Sequence, residues 1–151
     1  MNSLSKQQVH ARCLEILQGR IAESQKAMEG FQNAANNETK STAGDKHETS
    51  RAMMQADRDK VAVQLGNLLK MKPLLQKLNP SISLEHVGLG SFVNTDKGSF
   101  YLAIPLGNVN VEENEIIVIS AASPVARAMM GKSKGEQFEM NGVRRIIKEV
   151  L

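Results

Sequence analysis

Apolar positions in the first part of the chain recur at intervals of three and four: Leu14, Leu17, Ile21, Met28, Phe31 and Ala35, with Ser24 as the polar interruption. That spacing puts one apolar stripe along a helix and leaves the rest of its circumference polar. Ser5-Lys6-Gln7-Gln8 supplies the start. Ser5 is placed to cap the first turn and Gln8 to reach back to it, with Leu4 and Val9 as a hydrophobic staple. A helix over residues 6–38 would be about 50 Å long at 1.5 Å per residue. Residues 33–50 then turn polar, and Met54, Val61, Leu65, Leu68 and Leu75 restart the same seam. Pro73 is expected to kink or end this second helix, because it removes a backbone donor and crowds the preceding turn. Asn79-Pro80 marks a boundary. Two stripes of nearly equal length joined by a polar turn make an antiparallel coiled-coil hairpin; the pattern leaves an intermolecular coiled coil open as the alternative.

Beyond Pro80 the period shortens to that of strands. Segments 87–93, 99–104, 115–119, 137–140 and 144–150 read as extended. Thr95-Asp96-Lys97-Gly98 and Asn141-Gly142 have hairpin-turn chemistry. Between them, Ser123-Pro124 opens a short helix with Ser at the cap and Pro at the first helical position, and Gly131 closes it. The fold class is therefore α+β. Residues 1–80 form the hairpin, with its acidic tip near 38–50, and residues 81–151 form a small antiparallel sheet domain with one short helix.

Composition narrows the class further. The chain has 151 residues, of which 41% are hydrophobic and 23% charged, so it has enough apolar material for a packed core. Its apolar runs are too short to cross a bilayer, and the opening Met1-Asn2-Ser3-Leu4-Ser5-Lys6 lacks the apolar run of a secretory leader. A single cysteine, Cys13, excludes an internal disulfide and a cysteine metal cluster. These features point to the cytoplasm and away from membranes. Residues 1–80 carry 12 Lys/Arg against 8 Asp/Glu, and residues 81–151 carry 7 against 8. A net charge of +3 is too small to identify a nucleic-acid binder.

Two stretches of the second half resemble one family. Val87-x-x-Gly90-Ser91-x-Val93 opens the domain. Ile119-Ser120-x-x-Ser123-Pro124-Val125-Ala126-Arg127-Ala128-Met129-Met130-Gly131-Lys132 follows, then Gly135-Glu136 and the closing Arg145-Ile146-Ile147-Lys148-Glu149-Val150. This resembles the C-terminal domain of the bacterial Gre transcript-cleavage factors, in which a compact FKBP-like domain follows a coiled-coil hairpin. The resemblance implies a transcription elongation factor that binds RNA polymerase and inserts its hairpin into the secondary channel. There it would help hold a second Mg²⁺ for the polymerase's own cleavage of backtracked RNA, meeting the nascent 3′ end. Such a factor is not a free-standing enzyme, binds no cofactor alone, and acts as a monomer.

The resemblance also assigns residues. The family tip carries Asp and Glu at the three-residue separation of Asp45 and Glu48 in Gly44-Asp45-Lys46-His47-Glu48. Residues three apart on a first helical turn share one face, so both carboxylates can converge on one ion. Mg²⁺ takes hard oxygen ligands, commonly one or two carboxylates completed by water and phosphate. Asp-x-x-Glu at a helix start is equally an ordinary capping pattern. The tip departs from the family at Lys46, where an apolar residue is usual, at Thr49, where Asn is usual, and at Ala52, where an aromatic is usual. These departures keep a non-cleaving regulator of the secondary channel as the alternative. Ser123, Pro124, Ala126 and Arg127 match the segment that contributes to polymerase docking. Lys46, Arg51 and Arg58 are candidate contacts to RNA or channel acids, against a plain solvated face.

The remaining residues read more simply. His47 has no partner histidine nearby in sequence and reads as an exposed loop residue. Cys13 reads as a small hydrophobe on the first helix, and Met53-Met54 and Met129-Met130 as flexible core filler. Prolyl isomerisation would follow from fold analogy alone, and five aromatic residues with no Trp are a poor stock for an aromatic-lined pocket. A structural adaptor that pairs through the coiled coil is a third class.

Overall fold

The computed structural model describes the backbone of residues 4–38 and 45–151, and the side chains of residues 4–37 and 48–151. Two long helices, α1 (Lys6–Glu38) and α2 (Asp45–Lys77), precede six strands and a short helix. The strands are β1 (Phe92–Thr95), β2 (Gly98–Leu102), β3 (Gly107–Val111), β4 (Asn114–Ile119), β5 (Gln137–Met140) and β6 (Val143–Val150); α3 (Pro124–Met129) lies between β4 and β5. The expected capping box opens α1. Gln8 N donates to Ser5 Oγ at 3.1 Å, and Ser5 N donates to Gln8 Oε1 at 2.9 Å.

The chain divides into two compact units, Ile16–Lys72 and Met1–Glu15 with Pro73–Leu151. Within the first, α1 and α2 run antiparallel: Arg20 to Ala27 share a groove with Val61 to Leu68, and Ala27 to Ala34 share one with Ser50 to Asp57. The seam follows the sequence pattern at Met28, Phe31, Met54, Val61, Leu65 and Leu68, all half-buried. At its far end Ala34 takes the seam position and Ala35 is exposed. Among the described residues from 22 to 72 none is buried, because two helices alone cover only one side of each stripe. Pro73 does not end α2, which runs on to Lys77. One backbone bond is lost there, and Leu75, fully buried two residues later, anchors the final turn.

In the second unit the sheet order is β3-β4-β2-β1-β6-β5. Four pairings are antiparallel, but β2 and β4 are parallel, Ser99 to Leu102 lying opposite Ile116 to Ile119. The sheet is thus mixed, where an antiparallel sheet was expected. The difference arises from β3, which the strand pattern did not reveal. The chain leaves β2, crosses through Ala103, Ile104 and Leu106 buried in the core, and forms β3 at the edge. β4 then folds back into the place between β3 and β2 and so runs alongside β2 in the same direction.

Both expected turns form, with Thr95 opposite Gly98 and Met140 opposite Val143. β1 begins at Phe92, later than expected, because residues 88–91 make a tight turn. Gly90 adopts φ +90°, and Ser91 N donates to Gly88 O at 3.0 Å.

Alternation along the strands gives the sheet two apolar faces. On one, Val93, Phe100, Leu102 and Ile147 pack with Phe138, Val87 and, from α3, Ala126 and Met129. On the other, Phe92, Tyr101, Ile116 and Val118 are buried, and His10 at the start of α1 meets Tyr101 there.

Candidate functional site

α3 is built as the sequence requires. Ser123 holds an extended cap conformation, and its Oγ accepts from Ala126 N at 3.3 Å. Pro124 occupies the first turn, where a missing N–H costs no helical bond. Arg127 N donates to Ser123 O at 3.0 Å. Ala126 and Met129 are fully buried and seat the helix on the sheet. Pro124, Arg127 and Met130 are therefore left on the outer side, all exposed.

Gly131, at φ +77°, turns the chain so that its N–H donates to Val87 O at 2.9 Å, and Val87 N donates to Lys132 O at 2.8 Å. This pairing fixes the 87–91 turn against the end of α3. Ser91, fully buried, holds the turn from inside by accepting from Gly88 N at 2.8 Å. Leu89 lies two residues beyond the pairing and is 57% exposed, while Met130 is 42% exposed.

The four docking candidates thus separate. Pro124 and Arg127 are available to a partner, Ser123 spends its hydroxyl on the cap, and Ala126 faces the core. Leu89 and Met130 join the exposed surface. The Met129-Met130 pair divides between core and solvent, and only a known backbone turn tells which is which.

At the start of α2, Asp45 and Glu48 are three positions apart on the first helical turn. Glu48 is exposed. The side chains of Asp45, Lys46 and His47 lie outside the described residues. Among the described residues, no group of three His, Cys, Asp or Glu side chains is gathered for a metal ion. Arg51 and Arg58 are both exposed and seven positions apart, hence on one face of α2.

A second concentration of chemistry sits under the start of α1. His10 Nδ1 and the Tyr101 hydroxyl are 2.7 Å apart and buried, with the rings edge to face. Burial, then the charge of Lys6, lowers the His10 pKa from its ordinary 6.5. Burial, then Cys13, raises that of Tyr101. Burial alone pushes the Cys13 thiol up to about 12 and lowers Lys6. The buried state of Cys13 agrees with its reading as a small hydrophobe. The His10–Tyr101 contact joins residues 91 positions apart, and no local sequence signal carries it.

No family model matches the chain. Among solved structures it is similar to "Structure of the transcription factor Gfh1", at 18% identity and TM-score 0.36, covering 91% of this chain and 92% of that one. It is similar also to Gfh1 of Thermus aquaticus, at 14% identity and TM-score 0.36, covering 90% and 92%. For GreA factor homolog 1 of Thermus thermophilus the values are 16% identity and TM-score 0.34, covering 97% and 94%.

Proposed function

We propose that this chain is a Gre-like transcription elongation factor that binds RNA polymerase and enters its secondary channel with the α1–α2 hairpin. It stimulates the polymerase's own cleavage of backtracked RNA and catalyses nothing alone. The observation that carries the reading is the combination of two architectures in one chain. A long helical pair, whose second helix opens with Asp45 and Glu48, accompanies a sheet unit whose Ser-Pro-capped helix presents Pro124 and Arg127. A thin two-helix rod suits a narrow channel, and an exposed apolar rim around one arginine suits a docking surface.

The donors fit the metal that such a role requires. Carboxylates three apart on one helical turn offer hard oxygens, and exposure of Glu48 leaves that carboxylate open to an ion shared with a partner. The shared Mg²⁺ would supply charge stabilisation at the phosphate under attack. This chain's own part is to bring Asp45 and Glu48 to the site and to place Lys46, Arg51 and Arg58 near RNA phosphates or channel acids. The second reading, a regulator that occupies the channel without cleaving, draws on Lys46. A cation between the two acids competes with a metal for their charge.

Transcript cleavage by backtracked complexes of the cognate polymerase separates the two. The expected result is shortened RNA with the wild type, lost in both Asp45→Asn and Glu48→Gln, with polymerase binding retained. Normal cleavage by the amides removes the metal role. Binding by the wild type without cleavage establishes the non-cleaving regulator, and absence of both binding and cleavage overturns the reading.

A further inference from the structure

Two methionines adjacent in sequence have opposite environments at the end of α3. Met129 is fully buried beneath the helix, whereas Met130, its C-cap residue, is 42% exposed. A thioether is oxidised where an oxidant reaches its sulfur, so burial protects the first and exposure opens the second. Among the described residues the other strongly exposed methionine is Met53, on α2.

Met130 differs from Met53 in what stands around it. Leu89, also exposed, presents a second apolar side chain from the 87–91 turn, which the Gly131 N to Val87 O bond fixes against the end of α3. Arg127 lies three positions before Met130 and is exposed on the same outer side. Its backbone N donates to Ser123 O, but among the described residues its guanidinium has no hydrogen-bond or ion-pair partner. One oxidisable sulfur therefore sits on an apolar rim beside an unengaged cation.

We infer that Met130 is a reversible oxidation site that weakens docking at this surface when it becomes a sulfoxide, with a peroxide as the oxidant class. The inference rests on reading the surface as the polymerase dock. The Met130 sulfur gives an electron pair to one peroxide oxygen and the O–O bond breaks. The departing hydroxide takes the proton of the transferred oxygen and leaves as water. Sulfur is oxidised and peroxide reduced; a dithiol reverses the step, removing the oxygen as water and ending as a disulfide. The sulfoxide acts on the dock in two ways. It puts a strong dipole where a partner must bury an apolar contact, and burying a polar group without a bond is costly. Its oxygen is also an acceptor beside Arg127, whose five N–H groups otherwise face outward to a partner's carboxylate. Both effects weaken the same contact, and Met129 stays reduced beneath it.

The test treats the full chain with graded hydrogen peroxide, locates oxidised methionines by peptide mass spectrometry, and measures binding to the cognate RNA polymerase. Met130 should oxidise before Met129, and affinity should fall about tenfold and recover with a methionine sulfoxide reductase and thiol. Met130→Leu should bind alike with and without peroxide, while Met53→Leu should remain sensitive. Met130→Gln, polar without oxidation, should match the oxidised wild type. The unfolding midpoint of the oxidised chain should not move; a lower midpoint places the effect in the fold and overturns the inference. So does unchanged binding by a chain oxidised at Met130, or a loss that persists in Met130→Leu. Those outcomes leave the docking reading standing where Leu89→Ala still weakens binding. Untreated wild type that binds no polymerase removes the docking reading itself, and the inference falls with it.

Discussion

At the scale of single residues, the His10–Tyr101 contact has the clearest consequences. Tyr101 is wholly buried and its hydroxyl is bonded to His10, so Tyr101→Phe strands a buried ring nitrogen. The expected loss is about 1–3 kcal/mol in denaturant unfolding. The same pair makes stability depend on pH. Tyr101 is bonded to His10 and the charge of Lys6 acts on it, and burial first, then Lys6, sets its folded pKa below the 6.5 of the unfolded chain. The unfolded state therefore binds more protons once the pH drops below that value. The contribution is full above 6.5 and is lost as the pH falls toward the folded pKa. Unfolding midpoints followed from pH 7.5 down to 5, about one unit above and more than one below the ordinary histidine value, should fall, and fall less in a His10→Leu, Tyr101→Phe double variant. Cys13, buried with its thiol pushed up to about 12, should resist alkylation in the folded chain and react only in denaturant. The β3–β4 turn holds Glu112 and Glu113 at φ 48° and 68°, a region that costs an ordinary residue about 1 kcal/mol. Glu113→Gly should relieve that and raise the unfolding midpoint.

At the scale of elements, burial separates the hairpin from the sheet. The described residues from 22 to 72 have only half-buried seam positions, whereas Val93, Leu102, Ile116 and Ile147 are essentially closed to solvent. Amides of that helical stretch should exchange with solvent faster than those of β1, β2 and β4, because local opening there exposes little new apolar surface. α3 is short and depends on its cap, so Ser123→Ala should destabilise by about 0.5–2 kcal/mol. The helices, the turns at Thr95–Gly98 and Asn141–Gly142 and the capped start of α3 were legible in the sequence, since each is a local pattern acting within a few residues. β3 was not. Gly107-Asn108-Val109-Asn110-Val111 has turn residues at three of five positions and is a strand because β4 pairs along its length. At Pro73, where local chemistry argues for a kink or an end, the end does not occur: α2 runs on to Lys77, with Leu75 buried beyond the proline.

At the scale of the whole molecule, the proposed role needs both a hairpin and a dock. If the surface around Arg127 is the dock, the apolar rim should carry its affinity. Leu89→Ala with Met130→Ala should weaken polymerase binding by about tenfold without shifting the unfolding midpoint, since both side chains are exposed. Pulldown at graded polymerase concentration, with Asp45→Asn as a variant expected to bind normally, distinguishes docking from chemistry. What the sequence alone determined was everything written in short-range pattern: two amphipathic helices, a period change after Pro80, a Ser-Pro cap, and acids three apart at a helix start. Tertiary structure alone decided which pairs of distant residues meet. It put β4 parallel to β2, closed His10 onto Tyr101 and turned Ala126 inward while leaving Leu89 outward. Periodicity reports which side of an element is apolar, but strand order and the long-range contacts follow from how the whole chain closes its core.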